Sequence, residues 1–397
     1  MGRPPSDGSG GVQRGNAVGL TRALTRIDSR NPSITTDGPG EAEAAHFLAD
    51  VLREWGFAVE LREAAAGRPN LIARAGSPDG AALLFAGHLD TVGVEGMTHS
   101  PFSGEERSGR IYGRGSADMK SGIAAMCAAA VAAMDSASGD TGRQIIIAAV
   151  ADEEYDSIGM RALTADGLRA DAGVLTEPTH LAICPAHRGF AWVELTFFGR
   201  AAHGSRYDIG VDAIRHAGLF LAELEDLDSR VLPMRTHPLL GRGSVHASLI
   251  DGGSGLSTYP DRCVLTIERR TLPGQSAAEV ENEVRELCER ARARVPDLEV
   301  SLRLITAQSP SDVSSDAPIV QSIKRALEAE SAKVSIEGMS AWTDAAILNS
   351  AGIPSVCFGP GDIRLAHAPE EFVPISEIQL AASVLTRVAR EWLEGVA

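Results

Sequence analysis

The sequence is short of cysteine, of positive charge and of long apolar runs, and each shortage closes off a class of function. Its 397 residues include only 5 cysteines (Cys127, Cys184, Cys263, Cys288 and Cys357), odd in number and with no C-x-x-C pair. That scatter argues against a disulfide framework and fits a reducing compartment, so a cytoplasmic location is expected. Against 53 Asp+Glu stand 37 Lys+Arg, a formal net charge of −16. A nucleic-acid partner is therefore not expected, because phosphate binding needs a basic face. The longest uncharged, mostly apolar run, Ser121–Met134, is alanine-rich and shorter than the roughly 20 residues a bilayer crossing needs, so no membrane role is expected. Residues from Met1 to about Gly19 are rich in Gly, Pro and Ser, lack the apolar core of a signal peptide, and read as a flexible tail. Met1-Gly2-Arg3-Pro4-Pro5-Ser6 fits a myristoylation pattern only formally, with two prolines and no basic patch beside it.

What is present is ordinary globular composition, 44% hydrophobic and 23% charged, at a length that suggests two domains. Ala44, Phe47, Leu48, Val51, Leu52 and Trp55 recur at helical spacing, with Gly56 closing the helix. Short apolar runs at Ala81–Ala86, Gln144–Val150 and Ala172–Leu175 alternate with helical stretches, among them an alanine-rich helix over about Lys120–Met134. Continuous apolar strands alternating with helices point to a mostly parallel sheet covered on both faces, an α/β fold. From about His187 the rhythm changes to strand (Gly189–Phe198), helix (Val211–Leu227), two strands (Ser244–Ile250, Arg262–Arg269), helix (Ala277–Arg294) and a final strand after Leu298. That β-α-β-β-α-β order is the ferredoxin-like α+β arrangement, here inserted into the larger domain. After Ala307 the first rhythm resumes, with a helix beginning near Asp316-Ala317-Pro318, Asp316 as its N-cap and Pro318 in its first turn. A strand at Lys333–Ile336, a helix near Asp344–Ser350, a strand at Ile353–Phe358 and a terminal helix at Ile378–Trp392 follow. The expected organisation is a tail at 1–19, a catalytic domain at 20–186 and 306–397, and an inserted domain at 187–305.

The residues able to bind metal fall where the strands end. His88-Leu89-Asp90 follows the first run and Asp152-Glu153-Glu154 the second; Glu177 follows the third, and His367 lies beyond Ile353–Phe358. Asp118 sits in the glycine-rich stretch leading into the alanine-rich helix. In an open α/β sheet, sites form outside the carboxyl ends of the strands. Two histidines with four or five carboxylates suit Zn²⁺, Co²⁺ or Mn²⁺ better than Mg²⁺ or Ca²⁺, which prefer all-oxygen shells. If two ions are held about 3.5–4 Å apart, one carboxylate bridges them, and hydrolysis needs another left over as a base.

These segments carry a resemblance. Leu83-Leu84-Phe85-Ala86-Gly87-His88-Leu89-Asp90-Thr91-Val92 and Gly113-Arg114-Gly115-Ser116-Ala117-Asp118-Met119-Lys120-Ser121-Gly122 resemble two signatures of the dinuclear zinc aminoacylase and carboxypeptidase family, which includes acetylornithine deacetylase-like enzymes. Asp152-Glu153-Glu154, Thr176-Glu177-Pro178-Thr179 and the segment from Gly359 to Pro369 complete the set over about residues 20–395. The resemblance implies that His88, Asp118 and Glu177 hold one ion and Asp118, Glu154 and His367 the other, with Asp118 bridging. It implies Asp90 as the group orienting His88, and Glu153 as the general base. In the inserted domain, taken as a lid and dimerisation module, it implies that His203 reaches the active site of the other subunit of a homodimer and stabilises the oxyanion. Arg270 would grip a substrate carboxylate, and the N–H groups of Gly359 and Gly361 could face the same carboxylate. Where many relatives carry Asn, this chain has Ser257, which leaves that contact to substrate open.

The function expected is a metal-dependent amidohydrolase cleaving an N-acyl or peptide-like amide beside a free carboxylate on a small molecule. A carboxypeptidase or dipeptidase, and a hydrolytic deaminase or amidase on a non-peptide substrate, stay open as alternatives. From another class, so does an inactive metal-bound binding protein.

Overall fold

The structure, a computed structural model, describes residues 11–137, 139 and 141–395. The myristoylation pattern lies outside these residues. Within them the chain forms two compact units. The first runs to Pro185 and resumes at Val313–Glu337 and from Ile347; the second comprises Ala186–Asp312 and Gly338–Ala346. The last of these segments falls within the stretch assigned from sequence to the second part of the catalytic domain.

The first unit is built on one sheet whose middle strands, Arg143–Val150, Ala81–His88, Ala172–Leu175 and Ser355–Cys357, lie side by side and parallel. They are mostly Ile, Val, Leu and Ala and are buried along almost their whole length, as strands covered on both faces must be. Antiparallel strands flank them. Arg68–Gly76 pairs with Arg143–Val150, and Ala58–Ala65 with Arg68–Gly76. The helix Ser121–Ser136 is apolar all round and buried, a core helix. In its first turn only glycine fits at position 122, because a Cβ there would lie 1.9 Å from the carbonyl oxygen of Thr176. The helices Ala42–Glu54 and Ile375–Leu393 contribute Leu48, Leu52, Val384 and Val388 to the same core. Gly56, at φ +93°, ends the former as expected.

Two local expectations shift, and one hairpin was not expected. A helix begins at Ala17, inside the stretch read as tail, because the Asn16 side chain accepts the Gly19 N–H at 2.9 Å and caps it. The strand placed at Lys333–Ile336 lies at Ile336–Met339. The hairpin Ala58–Ala65/Arg68–Gly76 had no expectation at all, because its outer strand alternates exposed and half-buried residues rich in Glu and Arg.

The second unit is a four-stranded antiparallel sheet in the order Ser244–Gly252, Arg262–Thr271, Gly189–Phe198, Glu299–Gln308. Val193, Leu195, Phe197, Leu265 and Ile267 pack with Phe220, Val284 and Leu287 of the helices Ala213–Asp226 and Ala277–Arg294. The latter opens with a capping box, Ser276 and Glu279 bonding each other's backbone. Strand and helix order are those of a ferredoxin-like module.

His187, at the start of this unit, is buried, and burial lowers its pKa from 6.5 to about 4. Between those pH values the unfolded chain holds a proton that the folded chain does not. Stability should therefore rise with pH from about 4 to about 6.5 and be lost on acidification through the same window, by at most about 3 kcal/mol. Urea titrations of a His187→Asn variant across that range should show a shallower pH dependence than the parent; identical slopes would refute the assignment.

Candidate metal centre

Parallel neighbours bring their carboxyl ends to one rim, and the site is assembled there. His88 is the last residue of its strand and pairs in register with Val150, after which the chain turns through Asp152, Glu153 and Glu154. Glu177 lies two residues past Leu175. Asp118 is supplied by the irregular turn Ser116–Lys120, and His367 by the loop beyond the last parallel strand, with φ +60°.

The side chains converge. His88 Nε2 lies 3.2 Å from Asp118 Oδ1, His367 Nε2 lies 3.5 Å from Asp118 Oδ2, and His367 Nε2 lies 3.0 Å from Glu154 Oε2. Asp118 thus offers one oxygen to each of two histidines, the arrangement a bridging carboxylate needs. One donor atom from each of His88, Asp118 and Glu154 falls within 4.8 Å of the others. The second carboxylate oxygen of Glu154 is buried and has no hydrogen-bond partner. A buried carboxylate oxygen beside imidazole nitrogens with nothing to accept from is suited to a divalent cation.

Electrostatics point the same way. Hydrogen bonds to Asp118 and Glu154 push the His367 pKa up to about 10. Burial works against a charged His88, yet its bond to Asp118 and the nearby charges of Glu153 and Glu177 raise its pKa well above 6.5. Burial also opposes a charged Asp118, but its bonds to the two histidines hold it below the usual carboxylate range. Protons on the two histidines supply positive charge that this concentration of carboxylates calls for, and a metal cation would supply it instead.

Asp90 does something other than expected. His88 Nδ1 faces the backbone carbonyl of Asp90 at 2.9 Å, whereas the Asp90 carboxylate is 3.6 Å away. The carboxylate instead accepts the N–H groups of Glu153 and Glu154, each at 3.1 Å, and the Asn31 amide at 2.8 Å. It therefore fixes the acidic turn as much as the histidine. Beneath it, Arg68 is held bidentately by Glu41 at 2.5 and 2.6 Å and reaches Asp152 at 3.1 Å, all buried.

Sequence reasoning missed Glu371. This fully buried carboxylate accepts from Arg114 Nη1 at 2.6 Å and from the backbone N–H groups of Gly115, Ala117 and Asp118 at 3.0–3.2 Å. It cradles the loop that carries Asp118. Its only signal in the sequence was a second glutamate four residues after His367, too ordinary to single out.

Two expected ligand groups are already engaged. The Gly359 N–H donates to Thr179 Oγ1 at 3.1 Å, and the Gly361 N–H to Glu377 at 2.9 Å. In this arrangement neither is available to a substrate carboxylate, because each donor satisfies an internal acceptor. In the second unit, His203 is exposed, with Nδ1 at 2.9 Å from Ser205 Oγ. Ser257 lies beside it: its carbonyl accepts the Gly204 N–H at 2.7 Å. Arg270 pairs with Glu268 and lies over the Phe190 ring.

A mostly parallel sheet with a two-histidine, carboxylate-rich cluster at its carboxyl rim is the setting a metal-dependent hydrolase needs. The chain belongs to peptidase family M20/M25/M40, whose family profile matches residues 84–391. It is 30% identical over 356 residues to an acetylornithine deacetylase of Myxococcus xanthus, covering 86% of this chain and 89% of that one. The acetylornithine deacetylase of Vibrio campbellii is also 30% identical, over 373 residues, 92% of this chain and 94% of the relative. Among solved structures, the fold is shared with the aminopeptidase PepT of Bacillus cereus (TM-score 0.77, 22% identity, 96% and 99% of the two chains). It is shared too with human carnosine dipeptidase 1 (TM-score 0.74, 17% identity, 95% and 96%). The protein is thus a metal-dependent hydrolase of amide bonds.

Proposed function

We propose that the protein is an N-acyl-amino-acid deacylase, which releases a free amino acid by hydrolysing an amide next to a carboxylate. The observation that carries this reading is Asp118 set between His88 and His367, with Glu153 beside them on the same turn as Glu154. The relatives named acetylornithine deacetylase support the acyl-amino-acid class. His88, Asp118 and Glu177 would hold one divalent ion and Asp118, Glu154 and His367 a second, with zinc, cobalt or manganese suited to the donor set. When bound, such ions polarise the amide carbonyl and bring a water's pKa toward neutrality.

The chain's own groups do the rest. Glu153 takes the proton of the attacking water and returns it to the departing amine, which cannot leave as an anion. Arg270, planar and permanently charged, takes the substrate carboxylate. His203 donates to the oxygen of the carbonyl as it gains charge. We further propose a homodimer through the inserted unit, with His203 serving the partner's site, and a cytoplasmic location. None of the five cysteines is in a disulfide, which is compatible with that location.

The test is amine release from a panel of N-acyl amino acids and dipeptides, with metal-stripped protein and with protein loaded with Zn²⁺, Co²⁺ or Mn²⁺. Release is expected only with metal and to be fastest on N-acyl amino acids. Dipeptides turned over faster than every N-acyl amino acid would replace the deacylase by a dipeptidase. For the dimer, mixing His203→Ala and Glu153→Ala subunits should restore part of the activity that each variant lacks alone; no restoration would place His203 in its own subunit's site.

A further inference from the structure

On the strand Gly189–Phe198, residues alternate between the two faces of the inserted sheet. Ala191, Val193, Leu195 and Phe197 face the helices, so Phe190 and Trp192 lie on the opposite, half-buried face. Arg270 stands opposite Phe190 in register, and Glu268 opposite Trp192. The Arg270 guanidinium lies 5.3 Å from the centre of the Phe190 ring. Trp192 stacks at a tilt on Phe190 at 5.1 Å, and Trp342 meets its edge at 6.3 Å.

The charges of this patch are unequal. Glu268 is committed, accepting from Trp192 Nε1 at 2.9 Å and from Arg270. Arg188, two residues before Phe190, has no carboxylate partner among the described residues. It donates to the Leu240 carbonyl, and its Nε is buried without an acceptor. Burial lowers the Arg188 pKa, and the charges of Arg270 and Arg242 lower it further, which places these cations within electrostatic reach of one another.

We propose that this patch receives the side chain of the substrate's amino acid and selects aromatic side chains over cationic ones. The proposal rests on the deacylase reading above, with Arg270 holding the carboxylate. A side chain begins one bond from the carbon that bears the carboxylate, so whatever surrounds Arg270 is what it meets. Phe190, Trp192 and Trp342 offer edges and faces on which another ring packs favourably. Aromatic faces can also attract a cation, but the Phe190 face is already covered by Arg270. An incoming ammonium would meet the positive charge of Arg188, which has no carboxylate partner among the described residues, while the charge of Arg270 is answered by Glu268 and the substrate carboxylate. The protein therefore differs in preference from relatives acting on N-acetylornithine.

The test compares kcat and KM for N-acetyl-L-phenylalanine and N-acetyl-L-ornithine in the metal-loaded parent and in Trp342→Leu and Phe190→Leu variants. Thermal unfolding serves as the check on folding. The parent is expected to favour the phenylalanine derivative in kcat/KM by about tenfold or more. Each variant should narrow that ratio, chiefly by raising KM for the aromatic substrate. Equal or better turnover of the ornithine derivative by the parent, or equal losses on both substrates in folded variants, would overturn the proposal while leaving the deacylase reading intact. If no N-acyl amino acid releases amine although the ions are bound, the deacylase reading itself fails, and this inference with it.

Discussion

Replacing Glu153 with alanine is expected to lower kcat by about 10²–10⁴-fold, the usual contribution of a positioned general base, with metal stoichiometry unchanged. The two parts of that expectation come from different features of one turn. Glu154 is within 3.0 Å of His367 and belongs to the metal cluster, whereas Glu153 is its neighbour, held by its own backbone bond to Asp90. Truncating Glu153 removes the proton acceptor and leaves the cluster His88, Asp118 and Glu154 in place. Steady-state kinetics beside metal analysis of the purified variant separates the roles. A variant that loses both activity and an ion would make Glu153 a ligand, and one that keeps its activity would remove it from the chemistry.

Replacing Glu371 with leucine is expected to cost about 3–5 kcal/mol of stability, as does the loss of one partner from a buried ion pair. Arg114 would keep its charge in a buried position, and the N–H groups of Gly115, Ala117 and Asp118 would lose their acceptor. Metal affinity should fall as well, because the loop that presents Asp118 is no longer anchored. Glu371→Gln keeps an acceptor oxygen and should lose less on both counts. Removing Arg114 together with Glu371 (Arg114→Met with Glu371→Leu) should cost less than Glu371→Leu alone, since no unpaired charge then stays buried. Urea unfolding and calorimetric metal titration measure the two effects; an unchanged affinity in a folded Glu371→Leu protein would confine the residue to stability.

What could be read in the sequence was position along the chain. His88, Glu154, Glu177 and His367 stood out because each follows a run of apolar residues, and a parallel sheet gathers such ends at one rim. What could not be read was which polar groups satisfy one another. The Gly359 and Gly361 N–H groups looked free for a ligand, but Thr179 and Glu377, one of them remote in sequence, accept them. The resemblance implied that Asp90 orients His88, whereas its carboxylate accepts from the backbone of Glu153 and Glu154 some sixty residues on. Glu371, Asn31 and the Arg68–Glu41 pair were silent for the same reason. Periodicity reports burial, and a buried charge is recognisable only with its partner. The hairpin Ala58–Gly76 escaped because a strand exposed along much of its length lacks the apolar run that marked the others.

The place where the chain leaves the first unit has a further consequence. Pro185 and Val313, the residues on either side of the inserted segment, are joined by a backbone hydrogen bond of 3.0 Å. Seen from the first unit, the whole segment Ala186–Asp312 is the loop of a hairpin. The entropy of closing a loop grows only slowly with its length, so a module of this size interrupts the host at little thermodynamic expense. A shorter or different module spliced between the same two residues would inherit the same closed ends, and it would also have to accommodate Gly338–Ala346, the short second segment of the unit it replaces.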